Sequence, residues 1–150
     1  DNYYKSQLVM IVKKGSKFEQ AKTLADFSGA KVTGQLNTFH YSVIDQIPGV
    51  AKQPAMDNFP AMRVALQAGT IDAYVSELPE GVSAQAANSD FVMIKLSDGF
   101  QASDEDTDTA VGLKKNSPLK DAINKALSEI SDAERQQIMD EAIKNQPAAN

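Results

Sequence analysis

Chemistry has few places to sit in this chain. It holds one histidine, His40, and no cysteine, which removes thiolate nucleophiles, disulfides and thiolate metal sites. A lone histidine cannot build a metal site without partners. Asp104, Asp106 and Asp108 alternate like the start of a calcium loop, yet Thr109 stands where the loop needs glycine and Lys115 where it needs glutamate. They read as a solvated acidic connection. No Ser-His-acid arrangement, nucleophile elbow or phosphate loop appears, so neither catalysis nor a cofactor is expected. What remains is Lys31 to Ile47, read as a short strand, a tight turn at Asn37-Thr38, and a helix. The first backbone N–H groups of a helix are unpaired and favour an anion beyond the strand's carboxyl end. Glu77 follows a second strand, Ile71 to Val75, and should face the same place.

These positions need a scaffold, and the pattern supplies one. Gln7 to Val12 is a continuous apolar run, expected to be a buried strand. Thr23 to Phe27 reads as a short helical turn and Val32 to Leu36 as the next strand. Thr38 to about Ile47 forms a helix with Tyr41, Ile44 and Ile47 on one face, and Pro48-Gly49 ends it. Val50 to Ala55 reads either as a short strand or as a connector. Asn58 caps a helix that runs to about Ala68, with Pro60 in its first turn and Gly69 as its stop. Pro79 to about Ala87 is helical, and Phe91 to Leu96 and Thr109 to Leu113 are strands. Ser117-Pro118 marks a helix start, and Ser131 with Glu134 forms a capping box for a last helix. Gln146 to Asn150 should fray. Strands alternating with helices specify an α/β fold, a mostly parallel sheet with helices on both faces, and such sheets bind ligands beyond their strands' carboxyl ends.

With 150 residues, 42% of them hydrophobic, the chain can fill the core of about one domain. The net charge is −5 and the fifteen basic residues are scattered; nucleic acid, which demands a concentrated basic patch, is not an expected partner. No apolar run is long enough to span a membrane. Asp1-Asn2-Tyr3-Tyr4-Lys5 is no signal peptide, and the start is expected to be cut.

Four stretches carry a resemblance. Tyr3 to Val9 is similar to a crossing strand, "pYY.s...v". Leu24 to Val32 is similar to "dLkGkkV", Gln35 to Phe39 occupies the position of "q.GTt", and Ala65 to Val75 is close to "aL..GriDA.i". Together they resemble the amino-acid-binding proteins of ABC importers, the solute-binding family with two α/β lobes of the type II periplasmic-binding-protein kind. The resemblance covers nearly the whole chain. It implies that residues 1–107 are the second lobe with the first hinge crossing, that 108–150 are the returning part of the first lobe, and that the first half of the first lobe is absent. The only arginines, Arg63 and Arg135, sit in expected helices away from the site, so neither is the arginine with which that family's first lobe pairs the ligand carboxylate.

By the same resemblance, Thr38 and the Phe39 backbone would hold the ligand's α-carboxylate and Glu77 its ammonium, a charge-assisted pairing. Asn37 stands at the family's glycine and tolerates positive φ better than most residues. Phe39 replaces a hydroxyl residue, which leaves only its backbone N–H. His40 is placed in the helix's first turn, beside the cleft, as a further candidate contact, and Gln53 and Asp57 lie near a strand end. The implied function is capture of an extracellular amino acid by hinge closure and delivery to a membrane permease. The protein would lie outside the cell or in the periplasm, anchored through a lipid or a fused segment. A ligand-sensing domain of a receptor, kinase or LysR-type regulator uses the same fold. Alone, the chain should bind amino acids weakly or not at all. Its C-terminal helices should expose an apolar face (Ile123, Leu127, Ile138) and self-associate unless another chain covers it.

Overall fold

The computed structural model describes residues 1–145; the expected fraying of Gln146 to Asn150 falls outside them. Among the described residues seven strands and six α-helices follow one another: β1 (Asn2–Lys5), β2 (Leu8–Lys13), β3 (Lys31–Thr33), α1 (Phe39–Ser42), β4 (Ala51–Lys52), α2 (Phe59–Ala68), β5 (Ala73–Glu77), α3 (Leu78–Ala87), β6 (Phe91–Ile94), α4 (Asp104–Thr107), β7 (Asp108–Ala110), α5 (Lys120–Ser128) and α6 (Asp132–Lys144). The main sheet has the order β4-β3-β5-β2-β6. β3 pairs in parallel with β4 and β5. β2 pairs antiparallel with β5 and β6. Four strands therefore share one direction and β2 alone runs against them, a polarity that an apolar run does not encode.

β2 is a continuous run because both faces of the sheet are covered. Its side chains alternate between two cores. Met10 and Val12 join Phe27, Val32, Ile44 and Ile47 on one face, while Val9 and Ile11 join Met62, Leu66 and Ala84 on the other. Val9 to Val12 are fully buried. At about 25 cal/mol per Å² of apolar area, each such side chain contributes roughly 1.5–3 kcal/mol.

The stretch expected to be one helix from Thr38 to Ile47 is broken. α1 lasts one turn and tightens into a 3-10 turn at Val43–Gln46. Val43, Ile44 and Ile47 are all buried there, and the tighter winding aims adjacent β-branched residues at one core. α5 starts at Lys120, not at Ser117-Pro118; the Ser117 hydroxyl instead accepts from the Leu119 N–H within the preceding turn. Asn58 caps α2 through the Ala61 N–H, Gly69 ends it at φ = +74°, and Ser131 and Glu134 form the capping box of α6, all as the sequence indicates. β1 and β7 make a separate antiparallel ribbon.

Beyond β7 the packing changes character. Among the described residues from 108 to 145 none is buried. Leu119 and Ile138 are 57% and 59% exposed. Ile123 and Leu127, expected on the exposed apolar face, are only partly exposed. α6 is tied back to the start of the chain by Arg135, which donates to the carbonyls of Tyr3, Ile130 and Leu127.

Candidate functional site

β3 and β5 are parallel neighbours with Thr33 opposite Tyr74, so the turn that follows β3 and the residue that ends β5 lie at the same end of the sheet. Gly34 makes the turn compact. A Cβ there would stand 2.9 Å from the His40 carbonyl oxygen and 3.0 Å from the Tyr41 Cα, so only glycine lets α1 fold down against the end of β3. The chain reverses at Asn37, whose φ of +61° is in the left-handed region that asparagine tolerates.

Thr38 precedes α1 with extended backbone, and its hydroxyl donates to the Gln35 carbonyl at 2.8 Å. It therefore closes the turn and leaves the helix end uncapped. Among the described residues the backbone N–H groups of Thr38 and Phe39 meet no acceptor. Tyr41 N–H bonds back to the Thr38 carbonyl. Asn37 is exposed, and Thr38 and Phe39 are partly exposed.

Glu77 is the last residue of β5 and the residue before α3. One carboxylate oxygen, Oε1, accepts from His40 Nε2 at 3.0 Å. Among the described residues Oε2 accepts nothing. The His40 donor holds the Glu77 carboxyl below the usual carboxylate range, while partial burial works in the opposite sense. The Ser6 hydroxyl, close enough to favour the charged form, is itself buried without a hydrogen bond of acceptable geometry. Tyr4 on β1 faces the same carboxylate; burial first, and then the Glu77 charge, pushes its phenol up.

His40 is a buried residue. It is 6% exposed, with its ring near those of Phe39 (centroids 4.5 Å apart) and Phe59 (6.2 Å). Its geometry gives it Glu77 as a partner. Gln53 and Asp57 stand nearby through their backbones. The Gln53 carbonyl accepts from the Tyr41 hydroxyl and the Asp57 carbonyl from the Gln35 side chain, while the Gln53 amide turns back to Ala51. Arg63 lies on α2, where it pairs with Glu80 of α3 at 2.6 Å, and Glu80 also accepts from Ser76. Asp104 pairs with Lys5 and Asp106 bonds to Ser103. Among the described residues no cluster of metal-ligating side chains forms.

Sequence reasoning brought Thr38, Phe39 and Glu77 to one sheet end. It did not find Tyr4 and Ser6 beside Glu77, nor the His40–Glu77 hydrogen bond. The one available signal was the β1–β2 junction, which the crossing-strand pattern places next to the second lobe.

A two-stranded ribbon that feeds a mostly parallel, two-faced sheet at the end carrying the open turn and the acid is the architecture of a lobe of a periplasmic-binding-protein-like module. Solved structures that share it include amino-acid ABC transporter substrate-binding proteins. One from Streptococcus pneumoniae, bound to L-arginine, superposes with a TM-score of 0.76 at 22% identity over 96% of this chain and 60% of its own. A second from S. pneumoniae, also bound to L-arginine, gives 0.75 at 27% identity over 95% and 59%. An ancestral arginine-binding protein bound to arginine gives 0.65 at 30% identity over 94% and 62%. The chain thus spans about 60% of the length of these proteins. No family model and no curated protein matches it.

Proposed function

We propose that this chain is the greater part of the substrate-binding component of an amino-acid ABC importer. It contributes the lobe that holds the ligand's α-amino and α-carboxyl groups. The observation that carries the reading is the pairing of opposites at one sheet end: unpartnered N–H groups of Thr38 and Phe39 beside a charged carboxylate, Glu77, with one oxygen free. An α-amino acid carries the complementary pair, a carboxylate for the N–H groups and an ammonium for Glu77. The likeness to proteins bound to arginine supports an amino-acid ligand.

In this reading residues 1–107 form the second lobe with one hinge strand, and 108–150 return to the first. β1 and β7, paired antiparallel, are the two hinge strands, and closure about them removes the ligand from water. Delivery to a membrane permease follows, which places the protein outside the cytoplasm. No helix among the described residues is long and apolar enough to cross a membrane, so an anchor would come from a lipid or another segment.

Calorimetric titration with the twenty amino acids tests the proposal. The 150-residue chain should bind weakly or not at all, and a longer protein that restores the length of the relatives should bind a subset that includes basic amino acids. In that longer protein Glu77→Ala should weaken binding at least tenfold, the loss of about 1.4 kcal/mol or more expected for one charge-assisted hydrogen bond. Unchanged affinity in Glu77→Ala would remove Glu77 from the site.

A further inference from the structure

We infer that His40 is a positioning residue: its buried imidazole holds the Glu77 carboxylate at the end of β5, with the second oxygen free for a cationic ligand group, and does not itself touch the ligand. The inference rests on the reading of Glu77 as the ligand's ammonium acceptor and deepens it.

The geometry carries the argument. A carboxylate oxygen is an acceptor only, so the 3.0 Å contact requires the proton on Nε2 of His40. Nδ1 is buried without a hydrogen-bond partner. With 6% of the residue exposed and the rings of Phe39 and Phe59 close by, the imidazole is a packed side chain. A carboxylate on a flexible glutamate side chain loses rotamer freedom when it binds; one already fixed at Oε1 has lost part of that freedom beforehand.

The same bond does a second thing. His40 follows Phe39 directly, on the one-turn helix that opens with the unpartnered N–H groups. Glu77 ends a different strand, 37 residues later. The His40–Glu77 bond therefore sets the spacing between the two halves of the site, the carboxylate cradle and the ammonium acceptor. The groups that face Glu77 are His40 from α1, Tyr4 from β1 and the Ser6 hydroxyl before β2. Those that face the imidazole from the other sides are the rings of Phe39 and Phe59.

Nuclear magnetic resonance on the 150-residue chain, with no ligand added, decides the matter. Imidazole ¹⁵N shifts of the wild-type protein should show a proton on Nε2; a ring protonated on Nδ1 alone overturns the inference without any variant. Carboxyl ¹³C titration of Glu77 should then show an upward shift of its midpoint in His40→Phe, which keeps the ring packing and removes the donor. His40→Gln, which restores a donor near Nε2, should bring the midpoint back. An unshifted midpoint in folded His40→Phe overturns the inference, as does failure of His40→Gln to restore it. L-Arginine titration of the longer protein supplies the ligand readout. The acid limb of affinity against pH should move to higher pH in His40→Phe and return in His40→Gln; no movement counts against positioning. If Glu77→Ala binds L-arginine as the wild type does, the site reading fails by itself, while the resonance data still decide whether His40 holds Glu77.

Discussion

The charge of Glu77, the acid of the proposed site, also bears on stability. His40 keeps its carboxyl below the ordinary value of 4.5 in the folded chain, so folding favours the ionised form. That stabilisation is complete above the unfolded-state pKa and is lost as pH falls through the lower, folded value. Glu77→Gln should therefore flatten the acid side of the stability profile, read as urea midpoints from about pH 3 to 7; wild-type and variant curves that stay parallel would refute the coupling. Asn37 offers a second test. Its φ of +61° is the conformation in which a side-chain Cβ costs about 1–2 kcal/mol. Asn37→Gly should be neutral or stabilising and Asn37→Val destabilising by about that amount in urea unfolding. The tolerance of Asn37 for this turn was visible in its residue type. The pairing of His40 with Glu77 was not, because it depends on α1 folding onto the end of β3, a close approach permitted by the missing Cβ of Gly34.

Among the elements, local signals with a hydrogen bond behind them were the legible ones. Ser131 and Glu134 cap α6 reciprocally, with the Glu134 N–H bonding the Ser131 hydroxyl and the Ser131 N–H bonding the Glu134 carboxylate. Ser131→Ala should cost about 0.5–2 kcal/mol, and slower helix fraying in the variant than in the wild type, by amide exchange across 132–144, would contradict the assignment. The apolar runs marked the strands, since a run of four to six buried residues leaves little else. What they lacked was direction: β2 runs against its neighbours because β1 delivers the chain to the sheet from the ribbon end, and nothing in Leu8–Lys13 records that. The clamp between α2 and α3 was equally hidden. Arg63 and Glu80 are 17 residues apart, with side chains only 17% and 14% exposed, and the carboxylate also accepts from Ser76 and more weakly from Tyr74. Removing one partner leaves the other half-buried and unpaired, which costs about 1–3 kcal/mol. Glu80→Ala should thus destabilise the chain more than the double variant Arg63→Met, Glu80→Leu, by thermal or urea unfolding; equal losses would show the pair to be an ordinary surface contact.

At the scale of the whole molecule the chain is a packed lobe with an unburied tail of two helices. The sheet and its flanking helices fill two cores, whereas no described residue from 108 onward reaches the buried class. A segment of that length stays ordered against water only if its apolar residues find a surface. Part of the answer is internal, since Arg135 bonds α6 to β1 and to the end of α5. Val111, Leu119 and Ile138 remain between 45% and 59% exposed. These residues occupy the part of the chain that, in our reading, belongs to the first lobe, and the relatives have a further two-fifths of their length with which to cover it. The 150-residue chain should therefore self-associate. Sedimentation velocity should show a mass that rises with concentration in the tens of micromolar range, a modest affinity of about 6 kcal/mol. Leu119→Lys with Ile138→Lys should leave a monomer with an unchanged circular dichroism spectrum. A chain that stays monomeric at all those concentrations would mean that the tail's exposed residues are too scattered to act as one patch. Association that survives both lysines would move the contact elsewhere, to the free edges of the β1–β7 ribbon, where unpaired backbone groups offer another chain a place to add.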